Sequence, residues 1–92
     1  MIMKKQQLKP QDTTSELIAR RNELILFNDD VNSFDFVIQS LVEVCSHDQV
    51  QAEQCALIAH FNGKCGIKSG TLTELVPMNN ELNNRGISTV LA

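Results

Sequence analysis

Asn28, Asp29 and Asp30 place three oxygen-bearing side chains in a row, and a histidine, His60, lies further along the chain. A carboxylate, an amide oxygen and a neutral imidazole nitrogen can all accept a hydrogen bond from an ammonium group. Taken alone, Asn-Asp-Asp is an ordinary polar turn leading into a helix cap. A calcium loop would need more regularly spaced oxygens, and a single histidine late in a helix is usually structural. Considered together, the four residues form a set of acceptors for an amine.

The cysteines offer a competing chemistry. Cys45, Cys55 and Cys65, with His47 and His60, could be metal ligands, but structural zinc sites carry tight pairs such as CxxC or HxxxH, and none occurs here. Cys45 and Cys55 fall on apolar helix stripes, where a thiol serves as a small hydrophobe, so buried free thiols are expected. A catalytic Cys–His pair would need an electropositive or helix-end setting for its thiol, which the sequence does not show. The expectation is no catalytic residue, no metal and no cofactor.

Positioning these residues requires a scaffold. Leu24-Ile25-Leu26-Phe27 is a β-prone run stopped by Asn28-Asp29-Asp30. Asn32 or Ser33 can cap a helix whose apolar stripe is Phe34, Val37, Ile38, Leu41, Val44 and Cys45, reaching about Ser46. Asp48, with Gln51 at the capping-box position, opens a second helix over about Gln49–Asn62, ended by Gly63. Lys64–Ser69 predicts a strand with Gly70 as the turn. Thr71-Leu72-Thr73-Glu74 is a further capping box, starting a helix to about Asn84 that Pro77 interrupts unless the helix begins near Val76. Gly86 closes it and Ile87–Leu91 predicts a last strand. The order β-α-α-β-α-β predicts an α+β fold, a small α/β sandwich with a three-stranded antiparallel sheet packed against three helices.

Ninety-two residues allow one domain. Residues 1–22 are polar, aperiodic and contain Pro10, and read as a flexible tail in which Leu17–Arg21 could form a helical turn. Residues 23–92 make the folded domain. No apolar stretch approaches the ~18 residues needed to span a bilayer, and no secretory signal is visible. Eight basic against eleven acidic side chains give a net charge of −3, so nucleic acid is an improbable partner. An odd number of cysteines without a signal favours a reducing, cytoplasmic setting.

LFNDDVNSFDFVIQSL, a Ser-x-Asp helix start and AEQCALIAHFNGK together resemble the ClpS family of protease adaptors. The resemblance covers Leu24 to Lys64 without a gap, with Phe36-Val37 and His60-Phe61-Asn62-Gly63-Lys64 at the family's separations. It implies a non-enzymatic adaptor that holds the free N-terminus of substrates with a bulky hydrophobic first residue (N-degrons) and delivers them to a Clp ATPase of the ClpA or ClpC kind. It also implies that Asn28, Asp30 and His60 contact the α-amino group, with Asp29 beside them. Asn32, Phe34, Val37, Ala56, Ala59 and Ile87 would line the side-chain pocket, and Glu74 would serve ATPase docking. Ala56, Ala59 and His60 stand at i, i+3 and i+4, so one helix face can carry both a wall and an acceptor. The chain departs from the family at Phe34 and Ala56, where Met is frequent. Two rival functions remain open at this level: a regulator of a Clp ATPase that does not read N-termini, and a small metalloprotein built on the cysteines and histidines.

Overall fold

In the computed structural model, which describes residues 21–92, six elements follow in the order read from the sequence. They are strand β1 (Asn22–Phe27), helices α1 (Phe34–Cys45) and α2 (Gln49–Asn62), strand β2 (Lys64–Gly70), helix α3 (Leu72–Asn84) and strand β3 (Thr89–Leu91). The expected tail, residues 1–22, lies outside the described residues up to position 20. Asn22, assigned to that tail, is the first residue of β1 and pairs with Gly70.

The strands form one antiparallel sheet in the order β2-β1-β3. Two-residue alternation along β1 buries Leu24 and Leu26 and leaves Glu23 exposed. Leu26 stands opposite both Cys65 and Thr89, so its face joins all three strands. Against that face pack Ile38 and Leu41 of α1, Ala52, Ala56 and Ala59 of α2, and Leu75 and Leu82 of α3. Alanines on α2 let the helix lie close to its neighbours, whereas α3 fills its share with leucine.

Capping explains where each helix starts. Ser33, one of the two expected caps, accepts from the Phe36 amide at 3.1 Å, which leaves Asn32 free for other work. Asp48 accepts from the Gln51 amide at 2.7 Å, and Gly63, at φ 94°, ends α2 in the left-handed region that glycine adopts without a Cβ penalty. On α3, Thr71 and Glu74 form the complete reciprocal box. That helix continues through Pro77. A proline costs a helix ~3 kcal/mol by removing one N–H bond, and here fully buried Leu75 and Leu82 on either side, together with the box, outweigh it.

The last strand is shorter than expected. Ile87 does not join the sheet; its amide bonds to the Leu82 carbonyl at 3.0 Å, closing the end of α3 just after Gly86 turns the chain at φ 82°. Two side chains secure the frame from outside the core. Arg85 spans α1 and α3, donating to Glu43 at 2.7 Å, Glu81 at 3.1 Å and the buried Ser40 hydroxyl at 3.2 Å. Buried His47, between α1 and α2, donates from Nε2 to the Ile67 carbonyl at 2.7 Å and ties that turn to β2.

Candidate functional site

Where β1 runs out, the chain must turn back beneath α2, and a backbone bond fixes the place: the Asn28 amide donates to the Gly63 carbonyl at 2.9 Å. This brings the Asn-Asp-Asp turn against the end of α2, where His60 sits one turn from the cap. Between them opens a cavity of about 270 Å³. Sites for drug-sized molecules run ~300–1,000 Å³, so this one suits a single side chain better than a cofactor.

Its walls come from three elements and the turn between the first two. Leu26 and Phe27 end β1, Asn28, Asp29, Asp30 and Asn32 form the turn, Phe34 and Val37 belong to the first turn of α1, and Ala56, Ala59 and His60 come from α2. Helical spacing therefore does what the sequence suggests: Ala56 and Ala59 are buried while His60, on the same side of α2, is exposed. The cavity is apolar inside and polar at the rim, with Asn28, Asp30 and His60 all exposed there. Small residues on α2 leave room that the half-exposed ring of Phe34, 41% accessible, borders from the other side.

The turn is shaped by Asp29. Its Oδ1 accepts from the amides of Val31 at 3.0 Å and Asn32 at 2.8 Å, and its Oδ2 accepts from Asn32 Nδ2 at 3.0 Å. Burial alone would raise the Asp29 carboxyl, but the bonds from Asn32 and Val31 outweigh it and hold the group below its ordinary 3.8. Asn32 Nδ2 also donates to the Gly86 carbonyl at 2.8 Å, pinning the turn to the connection between α3 and β3. Asn32 thus lines the cavity as a brace for the loop. Among the described residues, the side chains of Asn28, Asp30 and His60 make no hydrogen bond to protein, which leaves their acceptor atoms open at the rim.

Ten of the expected positions can be placed directly. Asn28, Asp29, Asp30 and His60 meet at the rim, and Asn32, Phe34, Val37, Ala56 and Ala59 line the cavity. Ile87 does not line it: at 1% exposure it is buried in the core, drawn there by the bond that closes α3. Leu26 and Phe27 were missing from the sequence reading, although the inward alternation of β1 and its junction with Asn28 already pointed to them. Glu74 lies apart from the cavity on α3, where its Oε1 accepts from the Thr71 amide at 2.8 Å; that bond is the main reason its carboxyl lies below the usual value.

All three thiols are free, and the expectation of buried thiols holds for Cys45 but only in part for Cys55. Cys45 is buried, and burial pushes it up to about 11. Cys55 is only partly buried; burial first, then the neighbouring Cys65 thiol, pushes it up to about 11 as well. Such thiols are poor nucleophiles at neutral pH. Among the described residues no group of three or more His, Cys, Asp or Glu side chains is placed to hold a metal ion, and no helix is long and apolar enough to cross a membrane.

Comparison with known proteins sets this geometry in context. Residues 19–88 match the family described as ATP-dependent Clp protease adaptor protein ClpS. The ClpS adapter of a Synechococcus strain is 41% identical over 56 residues, 60% of this chain and 62% of that protein. The ClpS adapter of Campylobacter jejuni is 39% identical over 67 residues, 71% of this chain and 68% of its own length. The match thus spans roughly three fifths to two thirds of these relatives. Among solved structures, Agrobacterium tumefaciens ClpS2 bound to L-phenylalaninamide shares the fold, with a TM-score of 0.68 over 80% of this chain and 96% of that one at 16% identity.

Proposed function

The chain belongs to the ClpS family of Clp protease adaptors, and from that premise we propose that it binds the free N-terminus of proteins with a bulky hydrophobic first residue and delivers them to a Clp ATPase. The observation that carries this reading is the cavity itself. An apolar space for one side chain ends at a rim where an amide, a carboxylate and an imidazole, all without a described protein partner, converge. That is the outline of an amino-terminal residue, a side chain and an ammonium on adjacent atoms. The structural relative bound to phenylalaninamide carries a ligand of the same outline.

The energetics work as a two-part test. Burying one large side chain is worth about 1.5–3 kcal/mol. Each hydrogen bond from the ammonium to Asn28, Asp30 or His60 adds on the order of 1.5–3 kcal/mol. An internal residue offers the side chain without the ammonium and leaves the rim acceptors unpaired, so it is rejected. After association entropy is subtracted, terms of this size correspond to about micromolar affinity. The adaptor changes no covalent bond in this scheme, works in the cytoplasm beside the ATPase, and uses exposed Glu74 as part of the docking face. The residues before β1 complete the engagement with the ATPase.

Two measurements test it together. A set of peptides differing only in residue one should bind in the order bulky apolar above small or polar. Adding the protein to a Clp ATPase of the ClpA or ClpC kind with its peptidase should accelerate degradation of a reporter beginning with Leu or Phe, but not one beginning with Ser. Equal binding of all peptides would refute N-terminal reading, and binding without accelerated degradation would refute delivery.

A further inference from the structure

Cys55 and Cys65 take no direct part in the site, yet the fold brings them together from two elements. Gly63 alone separates α2 from β2, so the strand turns back and lies along the helix that precedes it. Cys65 stands opposite Leu26 of β1, and cross-strand partners share a face, so its side chain lies on the face that the helices cover. Cys55 packs against the same core from α2, one position before cavity-lining Ala56. The Cys65 thiol is close enough to help push the Cys55 thiol up. Both are free and only partly buried, so a small oxidant can reach them, whereas Cys45 has no exposed surface.

We infer that Cys55 and Cys65 form a reversible disulfide when the protein meets a hydroperoxide, and that this bond weakens amine binding by shifting the wall of the cavity. The bond itself does not depend on the N-terminal reading above; its effect on binding rests on that reading. Because burial withholds the thiolate of Cys55, Cys65 takes the first step. Its sulfur attacks the O–O bond and gains a hydroxyl as a sulfenic acid, and the departing alkoxide takes a proton and leaves as an alcohol (water from hydrogen peroxide). The Cys55 sulfur then attacks the Cys65 sulfur, the S–O bond breaks, and hydroxide leaves with the Cys55 proton as water. Small thiols reverse the bond by exchange. Bonded sulfurs sit ~2.05 Å apart, closer than two packed thiols, so closing the bond draws α2 toward β2. Ala56 moves with its neighbour, and Leu26, the partner of Cys65, lines the same cavity. A close-packed interior transmits such a shift rather than absorbing it.

The test treats the full chain with hydrogen peroxide, alkylates the remaining thiols, and reads intact mass, a peptide map and phenylalaninamide affinity. The monomer should lose two hydrogens, the map should show Cys55 joined to Cys65 with Cys45 alkylated after unfolding, and dithiothreitol should restore the starting mass. Oxidised protein should bind phenylalaninamide about fivefold more weakly than reduced protein, the lower end of what misfit in a packed site costs. In Cys55→Ser, peroxide should leave affinity unchanged and dimedone should trap the sulfenic acid on Cys65; Cys65→Ser should form no intramolecular bond. A map that joins Cys45 to either thiol, a disulfide between two chains, or no bond in the wild type would overturn the pairing, whatever the variants do. Equal affinity of the oxidised and reduced forms would overturn the link to the cavity. Failure of the reduced protein to bind phenylalaninamide would instead overturn the N-terminal reading, and with it that link, while the mapped bond would stand.

Discussion

Asp29 and Asp30 are adjacent in one turn, and the fold treats them in opposite ways. Asp29 accepts from two amides and a side-chain amide, and its partner Asn32 carries the tie on to Gly86. Asp30 is exposed and, among the described residues, makes no hydrogen bond, as is true of the side chains of Asn28 and His60. One carboxylate holds the loop; the other is presented by it. Polar groups satisfied internally are expected to affect stability, whereas groups held open beside an apolar cavity are expected to affect binding.

The contrast is broken most sharply at Asp30. Asp30→Asn should weaken binding of a Leu-initiated peptide by about 10- to 100-fold, the worth of one charge-assisted hydrogen bond, with no change in Tm. A matching loss of Tm would place Asp30 with Asp29 in the frame. Next in size is the cavity wall. Ala56→Met adds bulk to a closely packed site, at a cost of about 1–3 kcal/mol where space is short. Peptides beginning with Ile or Val should suffer more than those beginning with Leu or Phe, and an equal loss for all would remove Ala56 from the side-chain wall.

Asp29→Ala should act on the frame, lowering stability by about 1–2 kcal/mol in denaturant titration and weakening every peptide alike. The sign with pH follows from its lowered carboxyl. The stabilisation is fully present above the ordinary 3.8 and is lost as pH falls through the lower folded value. Asp29→Asn should flatten that acid-range dependence, and an unchanged profile would mean the turn is held by other bonds. The smallest effect lies in the core. With its thiol buried and pushed up to about 11, Cys45 should stay unreacted with a disulfide reagent at pH 8 until the protein is unfolded. Rapid reaction of all three cysteines in the native protein would show that the core is open.

Much of this was legible in the sequence because the signals were local. Ser33, Asp48 and Thr71 cap the helices by bonds to residues three positions on, and Gly63 marks the end of α2 by its own backbone freedom. The helix face carrying Ala56, Ala59 and His60 was likewise readable from spacing. What was not legible depends on how the elements pack rather than on caps and helix periodicity. Ile87 was expected at the cavity but was drawn into the core by the Leu82 carbonyl, which also shortened β3. Asn32 looked like a helix cap or a pocket wall, and its link to Gly86 lies 54 positions away along the chain. Cys55 was expected in the core, yet it is only partly buried, because its exposure depends on how α2 lies over β2.

The most direct measurement compares phenylalaninamide with N-acetyl-phenylalaninamide by isothermal titration, following the backbone amide NMR signals of Asn28, Asp30 and His60. The two ligands carry the same side chain and differ in the ammonium. Phenylalaninamide should bind, shift those three signals together, and lose affinity above about pH 8.5 as its amine deprotonates, given a reference α-amino pKa of ~7.7–8.0. The acetylated ligand should bind at least 100-fold more weakly. Equal affinity for both, or binding that leaves the three signals unmoved, would contradict the assignment of this rim as the site that reads a free N-terminus.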